Sequence, residues 1–210
     1  FVLLCAVCVG CRRTAPMHVW QPARVPAPTA AAKIALSPIA GNHILSQRLQ
    51  NHLLAQRPLA SADVALFTPE QLLQSSPVRL ASTAPLTSDL TAIQAARAAG
   101  AELLVQGQIM ASKVDLSEPQ ADKPAESSNM NQAFFQRLQK KKNQKRESIL
   151  VSWRVIDVGS ARTLGHHSFT FFTGDVPKKY PDLEAQYENQ TEMLLAGCAR
   201  ESWKTIAPYV

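Results

Sequence analysis

Five histidines, four cysteines and one dense run of bases are the residues of this 210-residue chain whose chemistry could go beyond packing. His166 and His167 are adjacent in a stretch that reads as a strand, so their side chains leave on opposite faces and do not chelate one ion as a pair. His43 and His52 stand on opposite sides of one predicted helix and read as surface or boundary residues. No spaced His or Glu completes a ligand set, and none of the signatures G-x-S-x-G, G-x-x-x-x-G-K-[ST] or G-x-G-x-x-G occurs. The residues thus name no nucleophile, phosphate cradle or metal site. No cofactor is expected, and a hydrolase would need a site outside these patterns. Trp153, Phe169, Phe171 and Phe172, at strand spacing, read as core and not as a ligand box. Asn189-Gln190-Thr191 fits a glycosylation acceptor but falls within a predicted helix and is discounted.

The bases are unevenly placed. Lys and Arg number 22 against 16 Asp and Glu, and Arg137, Lys140, Lys141, Lys142, Lys145 and Arg146 lie within ten residues, so the rest of the chain is balanced. Two readings stand side by side. One is a solvated segment; the other is a contact with an acidic polymer or anionic headgroups, each base contributing about 1 kcal/mol near a charged membrane. Nucleic acid is the usual inference from such a cluster, and an exported chain does not normally meet it.

Export is read from the first residues. Residues 1–10 are almost wholly apolar and stop at Cys11, Arg12 and Arg13. Ten residues rise only about 15 Å as a helix, roughly half the hydrocarbon core, so the stretch reads as the tail of a signal-peptide hydrophobic region whose beginning lies upstream. Cys8-Val9-Gly10-Cys11 resembles the lipobox of bacterial lipoproteins, with Cys8 where the pattern prefers Leu. The resemblance implies that Cys11 is the lipidated first residue of the mature chain. The other reading is a transmembrane anchor with its start missing and Cys11 incidental. On the lipoprotein reading Cys198 is the remaining free thiol, so no intramolecular disulfide framework is expected. Within 11–32, Cys11 is followed by a linker over 12–32 in which Pro16, Pro22, Pro26 and Pro28 favour polyproline geometry, with a reach of about 65 Å when extended.

Beyond the linker, 46% hydrophobic and 18% charged residues suffice for one core, and the composition excludes a wholly disordered chain, a collagen and a polytopic membrane protein. Lys33-Ile-Ala-Leu-Ser-Pro-Ile39 predicts a strand. Asn42 caps a helix with Leu45, Leu49 and Leu53 on its stripe and Ile44 alongside. Residues 62–67 suit a second strand, and Thr68-Pro69-Glu70 starts a short helix over 69–75. A third helix runs from a Ser88 cap, with Leu90 and Ile93 facing one way, to Gly100, and a strand follows over 101–110. Residues 111–146 read as an inserted polar excursion with a helical piece near 131–142. Strands over 148–158 and 162–173 are joined by the turn Asp157-Val-Gly-Ser160. In the first of these Ile149, Val151, Trp153 and Val155 make an apolar face, and Leu150, Ser152, Arg154 and Ile156 a mixed one. One helix over 181–207 closes the chain before Pro208. The order predicts an α/β (α+β) fold, a mixed sheet with helices packed on it.

Three segments carry a further resemblance: Lys33 to Ile39, Ala95-Ala-Arg-Ala-Ala-Gly-Ala-Glu-Leu-Leu-Val-Gln-Gly-Gln-Ile109, and Val151-Ser-Trp-Arg-Val-Ile-Asp-Val-Gly-Ser160. They resemble the domain shared by the curli-assembly secretion lipoprotein (CsgG) and the penicillin-binding-protein activator (LpoB), over about 33–110 and 147–207. The motifs are strand cores and turns, which support a fold better than an activity. The resemblance implies a lipid-anchored periplasmic domain that works by protein contact. The expectation it carries is an envelope protein without catalysis, with an assembly complex or a peptidoglycan synthase as partner, self-association left open, and the outer membrane preferred. A pore of the curli type is not expected, because 111–146 lacks the alternation of a transmembrane strand. The alternative function is a polyanion-binding or membrane-surface-binding module acting through 137–146.

Overall fold

Asn42 shows how local signals start this fold. Its backbone is extended, and its side chain accepts from the amides of Ile44 (3.1 Å) and Leu45 (3.2 Å), which opens helix α1, His43–Ala55. The preceding Gly41 has φ +126°, and a Cβ there would meet the Ile109 carbonyl at 2.9 Å, so the turn into α1 requires glycine. The computed structural model describes residues 23–25, 33–58, 65–75, 89–114 and 147–207.

Among them, the chain runs through β1 (Ile34–Leu36), α1, β2 (Leu66–Phe67), α2 (Pro69–Ser75), α3 (Asp89–Ala98), β3 (Leu103–Lys113), β4 (Ser148–Asp157) and β5 (Arg162–Phe172). A 3-10 turn at Thr173–Asp175 leads to α4 (Val176–Lys179), α5 (Pro181–Gln186) and α6 (Gln190–Ile206). The strands form one mixed sheet in the order β2-β1-β3-β4-β5. β1 is parallel to both β2 and β3, whereas β3, β4 and β5 form an antiparallel meander. The α/β (α+β) architecture read from the sequence is the one observed.

Two layers cover the sheet. On its first face Leu36, Val105, Ile149, Val151, Trp153 and Phe171 meet Leu45, Leu49 and Leu53 of α1 and Leu194, Leu195 and Cys198 of α6. Trp203 of α6 donates its indole N–H to the Leu53 carbonyl at 2.8 Å, tying the two helices together. On the second face Ala35, Leu104 and Ile156 meet Leu72 of α2 and Ala92, Ile93, Ala95 and Ala96 of α3. Alanine lets α3 sit close to the strands. Among the described residues that second layer covers only the end of the sheet near β1.

Several expectations are corrected. β3 continues to Lys113, paired with Ser148 of β4, so the excursion begins beyond Val114 and not at 111. The closing helix is interrupted at 187–189: Asn189 takes an extended backbone and its side chain accepts from the amides of Thr191 (2.8 Å) and Glu192 (3.4 Å), starting α6 anew. Asn189-Gln190-Thr191 therefore stands at a helix start. Leu90 is 67% exposed and Ile44 51%, because α3 and α1 present their packing stripes one position away. Phe172 is 48% exposed, while Trp153 and Phe171 are core. Ser88 and Pro208, proposed as helix boundaries, lie outside the described residues.

Two residues of the proline-rich stretch are part of the body. The amides of Arg24 and Val25 donate to the carbonyls of Lys204 and Thr205, 3.0 Å each, and the Val25 side chain is buried against Gly165.

Candidate functional site

Where the helices stop covering the second face, a cleft of about 530 Å³ opens over β3, β4 and β5, with residues 37–40 as one margin and Asp89 of α3 as another. Strand alternation sets its floor. Gln106, Arg154 and His166 pair across the three strands in one row, and Gln108, Ser152 and Ser168 in the next. Further along, the rows become Ala111, Leu150 and Thr170, then Lys113, Ser148 and Phe172. The surface thus grades from polar to apolar, and Met110 beside the Leu150 row is exposed as well.

Arg154 is the organising group. Its guanidinium donates through Nε to Gln106 Oε1 at 3.1 Å and through Nη2 to both Gln106 Oε1 and the Asp89 carboxylate. Gln106 Nε2 also donates to Asp89 Oδ1 at 3.3 Å, closing a three-membered network. The hydrogen bond from Arg154 holds the Asp89 carboxyl below its usual range, against a smaller opposing effect of burial. Ser168 donates to Ser152 Oγ at 2.8 Å. Beneath the cleft Gly107 faces Trp153 directly, and a Cβ at 107 would come within 2.5 Å of the indole, so glycine is what lets Trp153 lie flat on β3.

A second cluster lies on the opposite face of the sheet, reached through His167 of β5. Glu201 of α6 is buried, and Arg24, Lys204 (3.3 Å), Lys179 (3.7 Å) and the Tyr180 hydroxyl (2.9 Å) converge on its carboxylate. Burial pushes Glu201 up, but the Arg24 hydrogen bond, the Lys204 charge and the Tyr180 hydroxyl together bring it to about 2. Arg24 Nη1 also meets His167 Nε2 at 3.0 Å, and burial, then the Arg24 charge, hold His167 below its usual value. This cluster fastens Arg24 to the body and is structural. The His52 ring, 2.5 Å from Glu192, likewise joins α1 to α6.

His166 and His167 do point to opposite faces, one lining the cleft and the other meeting Arg24. Cys11 and the six bases Arg137, Lys140, Lys141, Lys142, Lys145 and Arg146 lie outside the described residues. Among the described residues no group of three His, Cys, Asp or Glu could hold a metal ion, and no helix is long and apolar enough to cross a membrane. The cleft network of Asp89, Gln106 and Arg154 was not foreseen. Its traces were the polar positions alternating with the apolar ones in β3 and β4. What the cleft can do is donate hydrogen bonds from a rigid sheet.

No protein-family profile and no curated protein matches the chain. Among solved structures it is similar to the PelC dodecamer from Paraburkholderia phytofirmans, with 11% identity over 90% of this chain and 99% of that one, TM-score 0.44. It is also similar to lipoprotein GNA1162 from Neisseria meningitidis, with 10% identity over 74% and 99%, TM-score 0.42. A third is the LpoB C-terminal domain from Salmonella enterica, with 14% identity over 68% and 83%, TM-score 0.38. Identities and overlaps this low carry neither an activity nor a partner to this chain.

Proposed function

We propose that this protein is a non-enzymatic, lipid-anchored component of the bacterial cell envelope whose α/β domain faces the periplasm and binds a protein partner in envelope assembly or cell-wall synthesis. The observation that carries the binding half is the half of the second sheet face that no described helix covers, where ordered polar side chains pass into exposed Met110 and Phe172. Sheet faces of globular domains are normally covered or uniformly polar, and a graded open one marks a contact surface. The anchoring half rests on the Cys8 to Cys11 pattern and the proline-rich stretch behind it. Docking of Arg24 and Val25 shortens the tether to residues 12–23, about 37 Å at 3.1 Å per residue. The membrane is the outer one on this reading.

The test is site-specific photocrosslinking in intact cells, with benzoylphenylalanine at Ser152 in the open face and, as control, at Gln47 on the exposed side of α1. A discrete adduct from Ser152 and none from Gln47 is expected. Equal labelling at both, or none at either, refutes the reading. The run of six bases within ten residues favours a second reading, a polyanion contact through 137–146. It predicts binding to anionic vesicles that falls steeply with salt and disappears when all six become Gln.

A further inference from the structure

The open face is chemically uneven in a way that specifies its occupant. Nη1 of Arg154 has no hydrogen-bond partner among the described residues, although Nε and Nη2 are fully engaged. His166, its cross-strand neighbour, has none either, and neither has the side-chain amide of Gln108. Ser152 accepts from Ser168, so its own hydroxyl hydrogen is free to donate. These four groups line one cleft and converge as unspent donors. Asp89 and Gln106 already hold the guanidinium in place, so a ligand meets a preorganised fork and loses little side-chain freedom on binding. Asp89 at the rim already partners the guanidinium, so a doubly charged group such as a phosphate is the more strongly opposed, and what the face offers an anion is hydrogen bonding from the unspent donors. Toward the other end, Leu150 lies four residues from Arg154 along β4 and Phe172 pairs with Ser148, six residues away, which places apolar contacts about 13 and 20 Å from the guanidinium.

Resting on the partner-binding reading above, we infer that this face takes an extended protein segment that presents one carboxylate to Arg154, His166, Ser152 and Gln108 and lays apolar side chains, four and six residues further on, against Leu150, Met110 and Phe172. Strand against strand, that spacing brings the acid and both apolar residues onto one side of the segment. A flat face with this register selects the acidic residue by hydrogen bonding and its distance to the apolar ones by geometry. The partner is therefore a protein with an exposed acidic-apolar strand, and a second copy of this chain is the occupant that the sedimentation test below separates from it.

The experiment uses two acetylated, amidated heptapeptides, Asp-Ser-Thr-Ser-Leu-Ser-Phe and the same sequence with Asn first, titrated into the protein while its backbone amides are followed by NMR. The acidic peptide shifts the amides of Ser152, Leu150 and Phe172, and its Asn counterpart binds about tenfold more weakly, the worth of one charge-assisted hydrogen bond. Arg154→Gln weakens the acidic peptide by a similar factor and leaves the Asn peptide unchanged; thermal midpoints check that the variant is folded. Comparing the two peptides on the unaltered protein needs no variant at all. Equal binding of both peptides, or no shift at these three residues, overturns the proposal. So does sodium glucuronate producing the Ser152 shift as strongly as the acidic peptide, which makes the cleft a sugar-acid site. A doubled sedimentation mass abolished by Phe172→Ser overturns it in favour of a second copy. Adducts from Ser152 in cells without any carboxylate dependence would sink this inference and spare the partner-binding reading. Peptide binding without cellular adducts would do the reverse.

Discussion

Replacing Arg24 with Met removes one guanidinium from a buried carboxylate and leaves the backbone hydrogen bonds of residues 24 and 25 in place. Glu201 is 4% exposed at its side chain and sits at about 2, against an ordinary 4.5. At 1.36 kcal/mol per unit the depression corresponds to about 3 kcal/mol of stability. Arg24 supplies the largest of the influences that lower it, so Arg24→Met costs about 1 to 2 kcal/mol at pH 7. The sign fixes the pH dependence. A carboxyl depressed in the folded state contributes its full stability above the unfolded value near 4.5 and loses it as pH falls toward 2. The gap between the two proteins is thus widest at neutral pH and narrows below about pH 4.5. His167 acts in the same direction, because burial and Arg24 both oppose its protonation, and the variant relieves the second. Urea denaturation of both proteins at pH 7, 5, 4 and 3 measures the gap. A difference that stays constant across this range, or none at pH 7, refutes the assignment of Arg24 as the counterion of Glu201.

Other substitutions read the packing. Gly107→Ala puts a methyl 2.5 Å from the Trp153 ring and costs about 2 to 3 kcal/mol of stability, read by urea denaturation, with a change in tryptophan fluorescence. Gly197→Ala in α6 should gain about 1 kcal/mol of helix preference. Its Cβ would stand 2.7 Å from Phe171 Cε1 and 3.2 Å from Val176, so a net loss is expected, and it shrinks in a Phe171→Leu background. Gly100→Ala meets no neighbouring atom but sits at φ +77°, and costs about 1 kcal/mol through the backbone alone, with Gly100→Asn milder. Cys198 is fully buried and burial pushes its thiol up, against a hydrogen bond from Ser202. It should resist iodoacetamide in buffer and react in urea.

What was legible in the sequence is what local chemistry decides. Asn42, Pro69 and Gly100 mark helix ends where they were expected, and the Asp157 turn is closed by its own side chain, which accepts from the Ser160 amide at 2.6 Å. The break at 187–189 was hidden because Leu183, Tyr187, Leu194 and Cys198 keep a helical period across it, and only Asn189 betrays it. The mixed face of β4, where Ser152 and Arg154 alternate with core residues, was legible, but not that it floors a cleft. Its central network was not, because Arg154 meets Asp89 across 65 residues of sequence and Gln106 across 48. Arg24 was read as linker for the same reason: its partner Glu201 lies 177 residues away, and a proline-rich stretch carries no periodicity to announce a docked pair.

The measurement that bears most directly on the account is the intact mass of the membrane-associated protein, expressed from its natural reading frame beside a Cys11→Ala variant. A lipid-sized increment on a chain beginning at Cys11, lost together with membrane association in the variant, is the predicted result. An unmodified mass in both proteins, or membrane retention of the Cys11→Ala variant, would contradict it.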